Sequence, residues 1–354
     1  MTSFRVALLA NLKVNAPKIE GMPDDQWDDL DSEKTVLALV EAIRAGGHTC
    51  EFLEGDVTLY DTVRKFKPDI CFNICEGHFG DAREAQIPAI LEMLRIPYTG
   101  SKVLTQALAL DKPMTKRILY YHDLPTPNYQ TFERPDEPLA EDMSFPLFAK
   151  PSREGTGMGV SAQSIIHNEE ELRSQVAYIN ERYKQPVLVE QYIDGREVTV
   201  GVVGNLQGPV ARRIPEDDSD ERMLAGLLFL PPMEVDLKPF EDTDIVYSNR
   251  LKVALADQLN YICPAPLPPK LVKRLNWLTA AVIRVTGALD VARVDFRLDV
   301  NDDLKPYILE INPLPGLSPG ISDLVIEAAA MGIDHTQLVN LILETALRRY
   351  GMVE

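Results

Sequence analysis

Basic charge is in short supply in this sequence: 36 lysines and arginines stand against 54 aspartates and glutamates, a formal net charge of -18. Such a chain repels a phosphate backbone unless its positive groups are gathered in one cleft, which sets nucleic acid aside as an expected partner. Cysteine is scarce too, at positions 50, 71, 75 and 263 only. The nearest pair, in "CFNIC", alternates within an apolar run as buried strand residues do, and no Cys or His cluster completes a coordination set. Reduced core thiols are expected, not a disulfide or a Cys/His metal centre. No window approaches the ~20 apolar residues of a membrane span. The start, "MTSFRVALLAN", lacks the basic flank and long apolar region of a signal peptide, so a soluble cytoplasmic protein without a membrane partner is expected. Internal repeats and low-complexity tracts are missing as well.

What is present reads as two or three domains. "FRVALLAN" at 4–11 is a short run of β-formers, and the spacing predicts a helix over 33–45 with Val36, Leu37, Val40 and Ile43 on one face. Ser32 is its expected N-cap and the glycines at 46 and 47 its stop. "CEFLEGD", "PDICFNIC" and "PYTGS" read as further strands, separated by helical patterns such as "AREAQIPAILEML". That rhythm predicts a parallel α/β layer over 1–101. Between its first strand and first helix, "EGMPDDQWDDLD" reads as a loop at a strand end, a place where α/β proteins meet ligands.

A helix, then "FPLFAKPS" and the glycine-rich "REGTGMGV", mark a smaller second unit over 102–189. "PVLVEQYIDGREVTVGVVG" reads as two strands joined by Asp-Gly, and "VARVDFRLDV" and "KPYILEINPL" as two more. The last unit, 190–354, is therefore expected to be mainly antiparallel sheet, with helices over "LVKRLNWLTAAVIRV" and "HTQLVNLILETALRRY" packed on it. Residues 213–266 are Pro-rich, acidic and poorly periodic, the pattern of a long excursion over a site.

Chemistry concentrates in these last two units. Gly155, Gly157 and Gly159 leave backbone amides open to an anion, and Lys150 and Arg153 flank them, a pattern that cradles phosphate. A glycine loop alone is equally a flexible hairpin; Lys112 and Lys150, placed upstream as two phosphate-reaching ammonium groups, favour the cradle. "RVDFRLD" puts Arg293, Asp295 and Arg297 on one face of a strand, and Glu310 and Asn312 share a face of the next. Three hard oxygen donors without His or Cys suit magnesium holding a polyphosphate. The competing reading is an Arg293 to Glu310 ion pair that merely joins two strands.

In this order, "FNICEG", "PAILEMLRIPYTGS", "LALDKPMTKRIL", "AKPSREGTGMGV", "VEQYIDGREVTV", "RVDFRLD" and "LEINPLPGLSPG" resemble the ATP-grasp superfamily, and within it the D-alanine:D-alanine ligases. The resemblance implies an α/β N-terminal domain plus an α+β ATP-grasp fold whose two domains grip ATP. It implies that Lys112 and Lys150 contact phosphates beneath Gly155 and Gly157, that Glu190 and Glu197 bind the adenine amino group and the ribose, and that backbone near Tyr192 and Ile193 closes the adenine slot. Asp295, Glu310 and Asn312 would hold two Mg2+ ions, with Mn2+ an alternative. Arg293 and the Gly316 amide would stabilise a tetrahedral oxyanion. Small-molecule carboxylate and amine substrates, a homodimer and a cytoplasmic location follow from the same resemblance.

The sequence departs from that family where amino acids would bind. The first loop, usually glycine-rich with an ammonium-binding Glu, is the acidic insertion, from which Asp28 or Asp29 could reach. The Ser of the phosphate loop is Thr156, the Lys-Tyr pair reads Lys252 then Val253, the His-Gly after the third strand is Glu76-Gly77, and the Ser for the second alanine falls on Ile321 with Ser322 beside it. Glu76 reads either as a structural partner of Arg83 or as a holder of a substrate ammonium. Three functions are carried forward: an ATP-dependent carboxylate-amine ligase acting on substrates other than, or besides, D-alanine; a D-alanine:D-alanine ligase with a divergent pocket; and a nucleotide-binding regulatory protein without catalysis.

Overall fold

The computed structural model describes residues 2–207, 221–236 and 260–354. Its first sheet is parallel, with β1 (Arg5–Ala10) between β2 (Thr49–Glu54) and β3 (Ile70–Asn73). Strand β1 is apolar at nearly every position because both faces are covered: Val6, Leu8 and Ala10 join one core cluster, Ala7 and Leu9 another. Helix α1 (Glu33–Ala45) starts where Ser32 Oγ accepts from the Thr35 amide at 3.1 Å. It buries Val36, Leu39, Val40 and Ile43, whereas Leu37 is 61% exposed, one step of about 100° off that face. "PYTGS" is not a strand; Tyr98 only bridges Cys71. Helices α2 (Leu59–Phe66) and α3 (Gln86–Leu94) complete the layer. The four cysteines are free thiols, three of them buried.

Helix α4 (Val103–Leu110) breaks at Asp111, whose carboxylate caps α5 (Lys112–Tyr121) by accepting from the Met114 amide at 3.0 Å. The chain then builds an antiparallel sheet of β4 (Tyr129–Phe132), β5 (Leu147–Pro151), β6 (Ile165–Ile166) and β7 (Val187–Gln191), in the order β4-β7-β5-β6. Helix α6 (Glu169–Tyr183) covers it through Leu172, Val176 and Ile179.

A second antiparallel sheet holds β8 (Gly195–Gly204), β9 (Leu227–Phe229), β10 (Met233–Asp236), β11 (Asn260–Ile262), β12 (Val291–Asp299) and β13 (Lys305–Asn312). Its order is β11-β10-β8-β12-β13, with β9 also on β8. The expected hairpin across Asp194-Gly195 is corrected here, because β7 and β8 lie in different sheets. Glycine at 195 serves close approach instead: a Cβ there would stand 1.9 Å from the Leu298 carbonyl oxygen. The described parts of the 213–266 stretch contribute β9, β10 and β11, strands of three or four residues that are too short to show a period. Helix α7 (Pro269–Thr286) buries Leu275, Leu278 and Val282 against this sheet. Helices α8 (Asp323–Ala330) and α9 (His335–Arg349) follow, and α9 packs on α1 in one shared core.

Asp290 ties these parts together. Fully buried, it accepts from the Gly100 amide at 2.9 Å, from Asn205 Nδ2 at 2.8 Å and from Arg349 Nε at 2.9 Å. Asp290→Ala leaves Arg349 without its buried counter-charge, and unfolding in denaturant is expected to show a loss of about 3–5 kcal/mol. A loss below about 1 kcal/mol, the value of an exposed pair, would show that Asp290 does not hold the joint.

Candidate active site

The strands of the two antiparallel sheets and the glycine-rich loop form a cleft lined among others by Lys112, Lys150, Gly155, Thr156, Gly157, Glu190, Tyr192, Ile193, Glu197, Arg293, Asp295 and Glu310. The loop between β5 and β6 runs through three residues in the left-handed region, Thr156 at φ 54°, Gly157 at 74° and Gly159 at 71°. Glycine tolerates that backbone freely; at Thr156 it is strained, as functional loops often are. The acidic insertion closes on this loop. Asp25 accepts from the Gly159 amide at 2.9 Å and from the Tyr183 hydroxyl at 2.9 Å. No helix among the described residues is long and apolar enough to cross a membrane.

At the floor of the cleft, Lys150 pairs with Glu190 at 2.8 Å and Lys116 with the same carboxylate at 2.5 Å. Burial pushes the Glu190 carboxyl up, but the two ammonium groups outweigh it and bring it down to about 2. Burial lowers Lys116, while at Lys150 the pull of Glu190 and Glu310 overrides burial and raises it. Lys112, at the first turn of α5, donates to the Glu154 carbonyl and lies 3.7 Å from Glu310. Three lysines thus bring positive charge into a chain that has little of it. Glu197 sits 3.4 Å from Arg297, and the Tyr192 amide is taken by the Pro146 carbonyl at 3.2 Å.

On β12 and β13, Asp295 stands opposite Glu310 and Arg293 opposite Asn312, just before a bulge at 295/296. Asp295 accepts from Arg293 Nε and Nη2 at 2.8 Å each, from Thr199 Oγ1 at 2.8 Å and from Asn312 Nδ2 at 2.9 Å. Arg293 also reaches Asp323 at 3.2 Å. Its ion pairs are therefore with Asp295 and Asp323, and the strand-joining pair with Glu310 is not formed. Glu310 lines both cavities, and Asn312, which lines the second, donates its amide nitrogen to Asp295. Oxygen donors of this kind fit a hard divalent cation. Groups of three or more His, Cys, Asp or Glu side chains that could hold a metal are not found among the described residues.

A second cavity shares Lys112, Glu154, Gly155, Thr156, Arg293 and Glu310 with the first and is also lined by Asp29, Glu76, Glu84 and the Asn312 to Gly316 run. Arg83 stands behind it, but its partners are Asp29 at 3.0 Å and Glu154 at 3.2 Å, not Glu76. Burial and the neighbouring Glu84 and Asp29 hold the Glu76 carboxyl well above its usual range. Burial likewise brings Glu84 up to about 7 against the opposing pull of Arg83. At Gly316 a Cβ would lie 2.9 Å from Ser322 Oγ, so a side chain there would displace that hydroxyl. That hydroxyl accepts from the Ser318 amide at 2.9 Å and holds the loop before α8.

Of the residues singled out in the sequence, the two cavities collect Lys112, Lys150, Gly155, Thr156, Gly157, Glu190, Tyr192, Ile193, Glu197, Arg293, Asp295, Glu310, Asn312, Gly316 and Glu76. Ser322 is not in either lining, and Lys252 and Val253 fall outside the described residues. Missed were Lys116, Glu84, Glu154 and Asp323. Lys116 had a signal, standing one helical turn after Lys112 on the same face of α5.

A family model described as the D-alanine–D-alanine ligase C-terminus matches residues 118–219 and 234–344. A D-alanine–D-alanine ligase of Syntrophotalea carbinolica is 32% identical over 321 residues, covering 90% of this chain and 92% of the relative. An uncharacterized protein of Sinorhizobium fredii is 34% identical over 321 residues, with 88% and 87% covered. Among solved structures, the D-alanine–D-alanine ligase of Bacillus anthracis complexed with ATP superposes with a TM-score of 0.70 at 22% identity, covering 99% of both chains. That likeness shows the ATP-grasp fold, with the α/β layer before it.

Proposed function

The chain belongs to the D-alanine–D-alanine ligase family, and from that premise we propose that it is an ATP-dependent carboxylate-amine ligase whose substrates are amino acids or close relatives of them. The observation that carries the reading is the convergence of Lys112, Lys150, Arg293 and Glu310 on one cleft that opens into a second, smaller cavity. One cavity suits a nucleotide and the other the groups to be joined. A regulatory module that only held ATP would have no use for the second.

In this reading the first cavity takes ATP. Tyr192 and Ile193 lie along the adenine slot, Glu197 serves the ribose, Glu190 sets Lys150 in place, and Lys112 and Lys150 neutralise phosphate charge so that a carboxylate can approach the γ-phosphate. Glu310, Asn312 and Asp295, the last still paired with Arg293, would hold Mg2+, which would draw off charge from the phosphates. The carboxylate oxygen bonds to the γ-phosphorus as the bond from that phosphorus to the ADP oxygen breaks, which gives an acyl phosphate and ADP. The amine nitrogen then bonds to the acyl carbon, the carbon to phosphate-oxygen bond breaks to release phosphate, and the amine proton passes to solvent. Arg293 and the Gly316 amide donate to the oxygen that turns negative at that carbon, and the Thr156 loop excludes water. Products are ADP, phosphate and an amide.

Phosphate release across pairs of amino acids, with mass spectrometry of the product, tests the reading. Silence with every pair, in the presence of ATP and Mg2+, would overturn it. Glu310→Gln is expected to lower the rate at least roughly a hundredfold and to raise the magnesium requirement, since one negative ligand is lost. Unchanged magnesium dependence in that variant removes the metal assignment. A D-alanine ligase with a divergent pocket is the second reading, supported by the 32% identity to the Syntrophotalea carbinolica enzyme. We place the protein in the cytoplasm as a homodimer, on family likeness; sedimentation at micromolar concentration checks the dimer.

A further inference from the structure

The second cavity gathers more carboxyl groups than cations in its lining. Asp29, Glu76, Glu84, Glu154 and Glu310 all line it. The nearby cations are already engaged: Arg83 with Asp29 and Glu154, Lys112 beside Glu310, and Arg293 with Asp295 and Asp323. Glu76 and Glu84 are left over: among the described residues neither carboxyl makes a hydrogen bond or a contact ion pair, and Arg83, whose charge acts on both, and Lys112, whose charge acts on Glu84, do so only from longer range and are engaged elsewhere. Glu84 is only 8% exposed and lines the cavity. Asp29, next to them, keeps one buried carboxylate oxygen without a hydrogen bond.

Leaving such groups alone is costly. A buried carboxylate without a counter-charge destabilises a fold by several kcal/mol. Protonation removes the charge but installs a hydroxyl donor that still needs an acceptor, so it relieves part of that cost only. A pocket for a small apolar side chain needs apolar residues such as the Ala109, Leu110 and Leu314 of this lining, and has no use for the carboxyl groups beside them.

The reaction limits which cations can compensate them. An amine that attacks an acyl carbon must be neutral when it does so, and it leaves no charge for Glu76 or Glu84. An α-ammonium on the carboxylate-donating substrate compensates one of them. The other calls for a further cationic nitrogen. We propose that one of the two substrates is basic, a diamino acid or a diamine, and that its second cationic nitrogen is held by Glu84 and Glu76 while the reacting groups meet beside Arg293 and Gly316. This substrate class rests on the ligase reading above.

The test compares matched pairs that differ in the second nitrogen alone: lysine with norleucine, 2,4-diaminobutyrate with 2-aminobutyrate, and 1,4-diaminobutane with butylamine, the amino acids in both configurations. Two measurements are made on the full chain with Mg2+. Phosphate release is followed with ATP, and binding is followed by calorimetry with a non-hydrolysable ATP analogue. The basic member of at least one pair is expected to bind and to react roughly tenfold or more better than its neutral isostere, the scale of one buried charge contact. Glu84→Gln and Glu76→Gln should each shrink that ratio, with unfolding curves confirming that the variants fold. The wild-type comparison stands by itself if they do not. Equal or better use of the neutral isosteres overturns the proposal. Selective binding of basic ligands without phosphate release from any pair would instead overturn the ligase reading and leave the cation pocket standing.

Discussion

Arg293→Ala is expected to lower the rate of amide formation by roughly 10²–10³-fold, the usual consequence of removing one donor to a developing oxyanion. The side chain lines both cavities, at the wall where nucleotide and acyl group would meet. It is held there by Asp295 at 2.8 Å and Asp323 at 3.2 Å, two carboxylates that fix the guanidinium plane and keep it charged. Removing it also leaves those two carboxylates without their cation, so a fall in stability accompanies the loss of rate. Arg293→Lys separates the two effects. Lysine retains a charge for Asp295 and Asp323 but cannot reproduce the two parallel bonds to Asp295, so stability should recover more than turnover does. If turnover by Arg293→Ala stays within a few-fold of wild type while stability drops, Arg293 only joins structure and the oxyanion role is wrong.

Much of this was legible in the sequence because the relevant signals are local. The period of two that set Arg293 with Asp295, and Glu310 with Asn312, survives in β12 and β13. Ser32 and the following apolar spacing fixed α1. The glycines of the phosphate loop stand where the backbone takes positive φ. What failed depended on partners distant in the chain. Asp194-Gly195 looks like a hairpin turn, yet the glycine is demanded by Leu298, a hundred residues on in round terms. Glu76 is open to two readings in the sequence, as a partner of Arg83 or as a holder of a substrate ammonium, whereas the ion pairs of Arg83 come from the acidic insertion and from the phosphate loop. A surplus of carboxylates in one cavity cannot be read from a chain that is acidic throughout, since only the fold shows which of them lack a cation.

The same distinction governs Glu190, whose replacement should cost the fold more than any other single change at the cleft. Its carboxylate lies within 2.8 Å of Lys150 and 2.5 Å of Lys116, and all three side chains are nearly or fully buried. Glu190→Gln keeps the shape and removes the charge, leaving two ammonium groups in the interior without it; unfolding at neutral pH is expected to show a loss of about 3–5 kcal/mol. The acid limb of the stability curve should change with it. Burial alone would raise the Glu190 carboxyl, but the lysines bring it from 4.5 to about 2 in the folded protein. A depressed carboxylate stabilises the fold above its unfolded value and ceases to do so as pH falls through its folded one. The difference between wild type and Glu190→Gln should therefore be full at pH 6–7, about 3 kcal/mol of it set by this shift, and should close as pH falls from about 4.5 toward 2. Removing Lys116 as well, in Lys116→Met with Glu190→Gln, takes away one of the stranded charges and should recover part of the loss, a coupling that a double-mutant cycle measures. Losses that simply add, with a difference that does not narrow in acid, would mean that Glu190 and the lysines do not hold one another in the floor of the cleft.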